Sequence, residues 1–300
     1  KRVVLIAGPT ASGKSAAALM LAEKIGGEIV NADAIQVYRD LKILSARPTP
    51  AEEARAPHHL YGHVDGALRY SAGGWARDAA IAIADIHARG RAAIVVGGTG
   101  LYFRALEFGL AEAPAIPEEA RRAAHARYEE IGAEAFRAEV LAFDPAMARL
   151  DPADRQRHIR AWEVFHASGI PFTEIRKAPG KPLVDHIAAR AVIEPPRAEL
   201  YAAIEKRFDA MLAGGALEEA RALAARGLDP GLPAVKAVGA AELLAHLAGQ
   251  ASLEEAIRLA KRNTRRFAKR QLTWFRHQAA DWPRAATAQD AADLLLRSVA

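Results

Sequence analysis

Short apolar runs alternate with stretches of helical periodicity in the first third of the chain. Val3–Ala7, Glu28–Asn31 and residues 92–96 have the length and composition of buried strands. Apolar residues recur at helical spacing between them, at 15–24 and 75–89. Because strands that alternate with helices pair in parallel, this order predicts an α/β fold with helices on both faces of a parallel sheet.

The pattern changes in the middle of the chain. Residues 112–176 show no strand character and are rich in Ala, Glu and Arg, with prolines at 114, 117, 145, 152 and 171 that mark helix starts and stops. A strand pattern returns at Ala189–Ile193. We therefore predict a core formed by residues 1–111 and 187–300, and a mostly helical insertion formed by residues 112–186.

The remainder of the chain is predicted to be helical, at Arg197–Ala213, 216–226, 238–247 and 252–278. With 300 residues, 51% of them hydrophobic, the chain can form a large core. No apolar run approaches the roughly 18 residues of a membrane helix, so no membrane association is expected. The absence of cysteine excludes disulfides, thiolate zinc sites and a cysteine nucleophile. Without a signal-peptide pattern, a cytoplasmic protein is expected.

The sequence GPTASGKS lies at residues 8–15, between the first strand and the first helix. Glycines in such a loop let backbone N–H groups converge on phosphate oxygens, and the helix N-terminus adds partial positive charge. Lys14 is expected to reach the outer phosphate and Ser15 to hold Mg²⁺. The predicted phosphate-binding residues are Gly8, Pro9, Thr10, Ala11, Ser12, Gly13, Lys14 and Ser15.

An aspartate is missing where a P-loop nucleotide hydrolase usually holds its metal. The strand at 92–96 runs into Gly97, Gly98 and Thr99, whereas an acid, Asp33, follows the second strand. Because strand carboxyl ends face the ligand crevice, Asp33 and Thr99 should both face what the loop holds. Two chemistries fit: a kinase in which a hydroxyl attacks the γ-phosphate of ATP, or a transfer in which a nucleophile attacks carbon and diphosphate leaves.

Basic residues concentrate near the C-terminus. Residues 261–277 include seven Lys or Arg and no acid, in a chain of net charge +5. A helix would separate them into two sides, one with Arg262, Arg266, Lys269 and Arg276, the other with Phe267, Gln271 and Trp274. The second side can pack while the first binds a nucleic-acid backbone. A solvated basic face is the alternative.

A second basic cluster occupies residues 155–160 of the predicted insertion, with the sequence RQRHIR. Arg and Gln side chains bind phosphates and base edges, which favours a second nucleic-acid contact. The alternative is a set of salt bridges at helical spacing to Asp151, Asp154 and Glu163.

Seven stretches, in order along nearly the whole chain, resemble the tRNA dimethylallyltransferases, also called tRNA isopentenyltransferases. They are GPTASGKS (8–15), NADAIQVYRDLKILSARPT (31–49), APHHL (56–60), VGGTGLYFRAL (96–106), DRQRHIRAWEV (154–164), IEKRFDAML (204–212) and NTRRFAKRQLTWFR (263–276). The resemblance implies a P-loop NTPase-like sheet with a helical insertion. It also implies transfer of a dimethylallyl group from dimethylallyl diphosphate to the exocyclic amine of the adenosine 3′ of the anticodon in tRNA.

The resemblance also implies roles for individual residues. Asp33 would be the general base, Thr99 would lie near base and donor, and Lys14 and Arg207 would neutralise the leaving diphosphate together with Mg²⁺. The target base would be flipped out of the anticodon loop, with the insertion closing on the anticodon arm. The expected tRNA-contacting residues are Asp33, Ala34, Ile35, Gln36, Gln156, Arg157, His158, Ile159, Arg160 and, as a substitute basic residue, Lys236. A monomer is expected.

Three segments depart from the family's usual sequence. Ala34 stands where Ser is common, and Leu44 begins a turn that usually begins with Gly. Ala240 and Ala241 stand where a Tyr and a basic residue are common. None of these is a proposed catalytic residue, so activity is expected.

Three other functions remain open on the sequence alone. The first is a P-loop kinase of a nucleoside or small metabolite, which should bind ATP tightly. The second is prenylation of free adenine nucleotides, which would need no anticodon loop. The third is an RNA-binding protein whose phosphate loop is vestigial.

Overall fold

A computed structural model describes residues 2–111 and 116–299 of the protein. The chain divides into two compact units: Lys1–Glu107 with Leu183–Ala300, called the core unit, and Phe108–Pro182, called the helical unit. The sequence predicts limits at 111 and 187, a few residues further along at each junction. The predicted insertion start at Glu112, and Pro114, lie outside the described residues.

The core unit contains one parallel sheet of six strands in the order β3-β2-β4-β1-β5-β6. The strands are β1 Val3–Ala7, β2 Glu28–Asn31, β3 His58–His59, β4 Ala93–Gly97, β5 Ala189–Ile193 and β6 Arg284–Ala285. The predicted parallel α/β sheet is confirmed. The sequence did not predict β3 and β6, because two-residue edge strands are too short to carry a periodic pattern.

Twelve α-helices lie in the described part of the chain. They are α1 Lys14–Ile25, α2 Pro50–Glu53, α3 Ala72–Ala88, α4 Gly100–Phe108, α5 Glu118–Phe143, α6 Arg155–Ser168, α7 Phe172–Ile175, α8 Arg197–Ala213, α9 Ala216–Ala225, α10 Ala240–Leu247, α11 Leu253–Gln278 and α12 Ala288–Val299. Of those in the core unit, α2, α4 and α12 are absent from the sequence prediction. Within the residues described, no helix is both long and apolar enough to cross a membrane.

The core forms because the strands are apolar and helices such as α1 and α12 cover them. Every residue of β1 and β4 is buried. Apolar residues of α1 and α12 form a cluster with alternate strand residues such as Val4 and Ile6. Strand side chains alternate between the two faces of a sheet. Buried residues of the long α11, including Phe275, belong to its packing side.

The helical unit has a small core of its own. Its buried apolar residues come from α5, the 3₁₀ turn Pro145–Arg149 and α6, and they include Phe136, Met147 and Ile159. Gly132, with φ of +78°, bends α5. Over residues 116–182 the structure has helices and no strand, which confirms the predicted helical character.

Candidate active site

The GPTASGKS loop folds tightly between β1 and α1. Gly13, with φ of +88°, turns the chain into the helix. Gly8 lies against its surroundings, because a Cβ there would be 2.6 Å from the Ser12 Oγ and 2.9 Å from the Ile193 carbonyl oxygen. A side chain at either glycine would therefore disturb the loop.

The two serines of the loop differ in exposure. The Ser12 Oγ is buried and lacks a hydrogen-bond partner among the described atoms. Buried polar groups are normally satisfied, so this hydroxyl indicates a missing partner. Ser15, in the first turn of α1, is exposed. The backbone N–H groups of that turn have no intrahelical acceptors, which makes the loop suited to an anion.

Lys14, which is buried, and Arg207, which is partly buried, bring two positive charges to the loop. Burial lowers the pKa of Lys14 to about 8, with the charge of Asp33 acting in the opposite direction. Burial also lowers the pKa of Arg207, again opposed by Asp33. The Lys14 Nζ lies 3.3 Å from the Pro9 carbonyl oxygen, and the Arg207 Nη2 donates to the Thr10 Oγ1. Neither cation forms an ion pair with an acid of the described chain.

Asp33 and Thr99 follow the carboxyl ends of the neighbouring strands β2 and β4, and Thr99 contacts the backbone next to Asp33. The Thr99 Oγ1 accepts a hydrogen bond of 2.9 Å from the backbone N–H of Ala34. The Asp33 Oδ1 accepts from the Ile35 N–H at 2.9 Å, and the Asp33 N–H donates to the Asn31 Oδ1 at 2.9 Å. These bonds fix the direction of the Asp33 carboxylate.

A cleft of about 630 Å³ opens beside the loop. Its lining residues are Ala11, Gly13, Lys14, Ser15, Ala16, Gln36, Lys42, Ile43, Ala46, Arg47, Pro48, Thr49, Pro50, Glu52, Ala203, Arg207, Ala210, Met211 and Gly214. Asp33 and Thr99 are not among them. The Gln36 amide nitrogen donates to the carbonyls of Ser45 and Ala46, at 3.0 and 2.8 Å, so its donors hold the cleft wall.

Glu219 of α9 supports this wall and was not identified from the sequence. Its carboxylate accepts three backbone hydrogen bonds of 2.8 Å, from Lys42, Ile43 and Leu44. The glycine absent at position 44 is not required there, because the left-handed residue of the turn is Ala46, with φ of +54°. A contact across more than 170 residues has no local sequence pattern.

Gln271 of α11 reaches the phosphate loop from another direction. Its Oε1 accepts a 2.9 Å hydrogen bond from the Thr10 N–H, and its Nε2 donates to the Gly98 carbonyl at 2.9 Å. Trp274, one turn later, packs on Gly100, where a Cβ would be 2.1 Å from the indole. The sequence indicates only that Gln271 lies on the packing side of the helix.

The basic stretch at 261–277 is part of the single helix α11, but its sides differ in detail from the prediction. Arg266, Lys269 and Arg270 are exposed, whereas Phe267 and Trp274 are only partly buried. Arg276, predicted to bind an anion, instead forms an ion pair with Glu194 through its Nε at 2.9 Å.

The predicted tRNA-contacting segment of α6 also divides. His158 and Ile159 are buried in the helical unit, 2% and 5% exposed, so direct contact of these two side chains with RNA is not supported. Arg157 pairs with Asp154 at 3.2 Å and Arg160 with Glu163 at 3.1 Å. Of the salt bridges that were the alternative, those to Asp154 and Glu163 are therefore present, whereas Asp151 accepts a 2.9 Å hydrogen bond from the Ala153 N–H. Lys236, in the core unit, is exposed.

Comparison with known protein families gives two matches. A family described as IPP transferase matches residues 36–278, and one described as isopentenyl transferase matches residues 1–61. A tRNA dimethylallyltransferase of Phenylobacterium zucineum is 56% identical over 284 residues, which cover 94% of this chain and 92% of that protein. A tRNA dimethylallyltransferase of Nitrobacter hamburgensis is 55% identical, over 92% of this chain and 87% of that one.

Solved structures agree with these matches. The full-length tRNA isopentenylpyrophosphate transferase of Bacillus halodurans is similar with a TM-score of 0.69 and 33% identity, over 99% of this chain and 96% of that one. A eukaryotic dimethylallyltransferase acting on tRNA is similar with a TM-score of 0.76 and 29% identity, over 92% of this chain and 70% of that one.

Proposed function

The chain belongs to the IPP transferase family, and on that premise we propose how its candidate active site carries out the reaction. The protein is a tRNA-modifying prenyltransferase. We propose that it transfers a dimethylallyl group to the exocyclic amine of the adenosine 3′ of the anticodon. The observation that supports our assignment of the site is the buried Lys14 and the partly buried Arg207 at the loop, both near enough to the oriented carboxylate of Asp33 for its charge to raise their pKa.

The phosphate loop is proposed to bind the diphosphate of dimethylallyl diphosphate. Lys14 and Arg207 would neutralise the charge that develops on the diphosphate as its bond to carbon breaks. The Ser12 hydroxyl, which lacks a partner in the described structure, would donate a further hydrogen bond. Arg207 also contacts Thr10, so one arginine can orient the loop and bind its ligand.

Mg²⁺ is proposed as the cofactor, held by the exposed hydroxyl of Ser15 and by the diphosphate itself. Among the residues described, no group of three His, Asp or Glu side chains could hold a metal ion. Mg²⁺ is commonly bound through one or two protein groups plus phosphate oxygens and water, which fits this loop. When bound, it would supply charge neutralisation to the leaving group.

Asp33 is proposed as the general base. An adenine amine is a weak nucleophile because its lone pair is delocalised into the ring, so an acceptor must orient it and remove its proton. The Asx-type hydrogen bond to Ile35 holds the Asp33 carboxylate at the end of β2. Thr99 holds the neighbouring Ala34 in place and lies at the end of the adjacent strand.

Two basic surfaces are proposed to bind the tRNA backbone. On α11 these are the exposed Arg266, Lys269 and Arg270. In the helical unit, Gln156, Arg157 and Arg160 are proposed to contact the anticodon arm, with Lys236 as a further contact from the core unit. We propose that the enzyme acts as a monomer in the cytoplasm, because one chain supplies every proposed residue and tRNA is a cytoplasmic substrate.

The direct test is mass spectrometry of an unmodified anticodon stem-loop RNA after incubation with the protein, Mg²⁺ and dimethylallyl diphosphate. The expected result is a mass gain of one dimethylallyl unit on the adenosine 3′ of the anticodon. AMP offered alone is the control, because prenylation of the free nucleotide would place the acceptor outside tRNA. Phosphate transfer from ATP to a small acceptor, with no mass gain on RNA, would overturn the proposal.

A further inference from the structure

Gln271 is a buried polar residue to which the proposed chemistry assigns no role. It is 6% exposed and lies on the long basic helix α11, more than 170 residues along the chain from each of its partners. Its amide is satisfied by two backbone groups at 2.9 Å, the Thr10 N–H and the Gly98 carbonyl. Those groups belong to the two loops that carry the proposed active-site residues.

The first partner, Gly98, immediately precedes Thr99. There is no space on either side of this turn, since a Cβ on Gly98 would be 2.2 Å from the Gln271 Nε2 and one on Gly97 would be 2.0 Å from the Ala32 carbonyl oxygen. Thr99 in turn accepts from the Ala34 N–H. The position of Gln271 is thus transmitted through Thr99 to the backbone beside Asp33.

The second partner, Thr10, lies in the phosphate loop. Its hydroxyl accepts a hydrogen bond from Arg207, and its N–H donates to Gln271. Thr10 is therefore held on two sides, by Arg207, which is proposed to bind the diphosphate, and by Gln271 of α11.

We propose that Gln271 is a positioning residue for prenyl transfer, holding the phosphate loop and the Thr99 turn at the separation that brings the donor and the general base together. This inference rests on the proposed function. A glutamine side chain meets the requirement because it offers one acceptor and one donor from the same planar amide. Reacting groups displaced by about 1 Å lose roughly 100-fold in rate, so a clamp between two loops can affect turnover strongly.

The test compares Gln271→Met, which keeps the volume but removes both hydrogen bonds, with Gln278→Met as a matched control. Gln278 is on the same helix, is exposed, and accepts a 3.3 Å hydrogen bond from Arg104. With the stem-loop RNA and dimethylallyl diphosphate, Gln271→Met is expected to lower kcat about 100-fold. Its KM for the donor and its Kd for the RNA should change less than about threefold. A kcat within about twofold of that of Gln278→Met would overturn the proposal.

A second variant keeps the proposal testable if Gln271→Met does not fold. Gln271→Glu has the same shape and still accepts from the Thr10 N–H, but it places a negative charge beside the diphosphate and faces the Gly98 carbonyl without a donor. We expect a raised KM for the donor, by about tenfold or more, in addition to the loss of kcat. A variant that folds and keeps the wild-type donor KM would contradict the placement of Gln271 beside the diphosphate.

A double-mutant cycle with Thr99→Ala distinguishes positioning from general loss of stability. If Gln271 acts through Thr99, the double variant should be little slower than the slower single variant. Fully additive losses would overturn the route through Thr99. If the wild-type protein itself transfers no dimethylallyl group, the proposed function fails, and this inference fails with it. If the wild-type protein transfers the group and the Gln271 variants do so at the wild-type rate, this inference fails and the proposed function stands.

Discussion

The phosphate loop and the basic segment of α6 both carry cations that the sequence assigns to anion binding, but they hold them differently. At the loop, Lys14 is buried and Arg207 is partly buried, and neither is paired with an acid of the described chain. On α6, Arg157 is exposed and Arg160 is partly buried, and each pairs with an acid three residues away.

The difference shows which site is preformed. A buried cation without a partner costs free energy, because burial removes its hydration, and a bound anion restores the lost interaction. The Arg157–Asp154 pair is largely exposed and contributes only about 0–1 kcal/mol, so Arg157 can exchange it for a phosphate at little cost. Arg160 pairs with Glu163, which is buried and would lose its partner. We therefore expect the loop residues to determine catalysis, and the α6 residues to tune RNA affinity.

The largest expected effect is that of Asp33→Asn, which keeps the shape of the side chain but removes its basicity. The proton of the adenosine amine then has no acceptor, so kcat should fall by about 1,000-fold. Single-turnover transfer to the stem-loop RNA measures this loss. RNA affinity, measured in parallel, should stay near the wild-type value. Wild-type turnover in the variant would show that the base is assigned wrongly.

Lys14→Met should follow, with a loss of about 100-fold or more in kcat/KM for the donor, because a charge that stabilises the leaving diphosphate is removed. Lys24→Met is the matched control. Lys24 is at the other end of the same helix, where it forms an exposed ion pair with Asp293 at 3.2 Å. Equal losses of kcat/KM in the two variants would mean that Lys14 has no particular role in binding the diphosphate.

The lowered pKa of Lys14 predicts a pH dependence of donor binding. With its pKa at about 8 in the unliganded protein, Lys14 is charged below pH 8 and loses its proton above it. A bound diphosphate favours the charged form, so binding above pH 8 requires proton uptake. Wild-type affinity for dimethylallyl diphosphate should fall by up to tenfold per pH unit there.

The affinity ratio of wild type to Lys14→Met isolates this effect from ionisation of the donor itself. Calorimetric titration between pH 7 and 9.5 would provide the ratio. A ratio that does not change with pH would contradict the assignment of Lys14 to the diphosphate.

The smallest effect is expected from Arg157→Ala, which leaves the pair of Arg160 with the buried Glu163 intact. Removing one phosphate contact should weaken stem-loop binding a few-fold and reduce its salt dependence, with little change in kcat. The control is Lys177→Ala elsewhere in the helical unit, because Lys177 also pairs with an acid three residues away, Glu174, at 2.6 Å. If both variants reduce affinity equally, the contribution of Arg157 is only its charge.

Local patterns in the sequence were sufficient for much of the fold. β1, β2 and β5 have the limits predicted for them, and α8 begins and ends at the predicted Arg197 and Ala213. The phosphate loop was identifiable because its glycines, lysine and serine act through backbone geometry within eight residues. Asp33 and Thr99 were predicted to face one ligand because the carboxyl ends of parallel strands share an edge of the sheet.

How that site is held depends on contacts between residues that are far apart in the sequence. Gln271 and Glu219 bind backbone groups more than 170 residues away, and no periodicity records such contacts. His158 and Ile159 belong to the basic sequence RQRHIR, which resembles an RNA contact, but both are buried. Their burial depends on how the helices of the helical unit pack and could not be predicted from the local sequence. The helices, the strands and the chemically distinctive loop could be predicted from local sequence, because they follow from interactions within a few residues. Charge pairing, burial and the bonds between loops depend on which distant groups meet, and folding alone sets this.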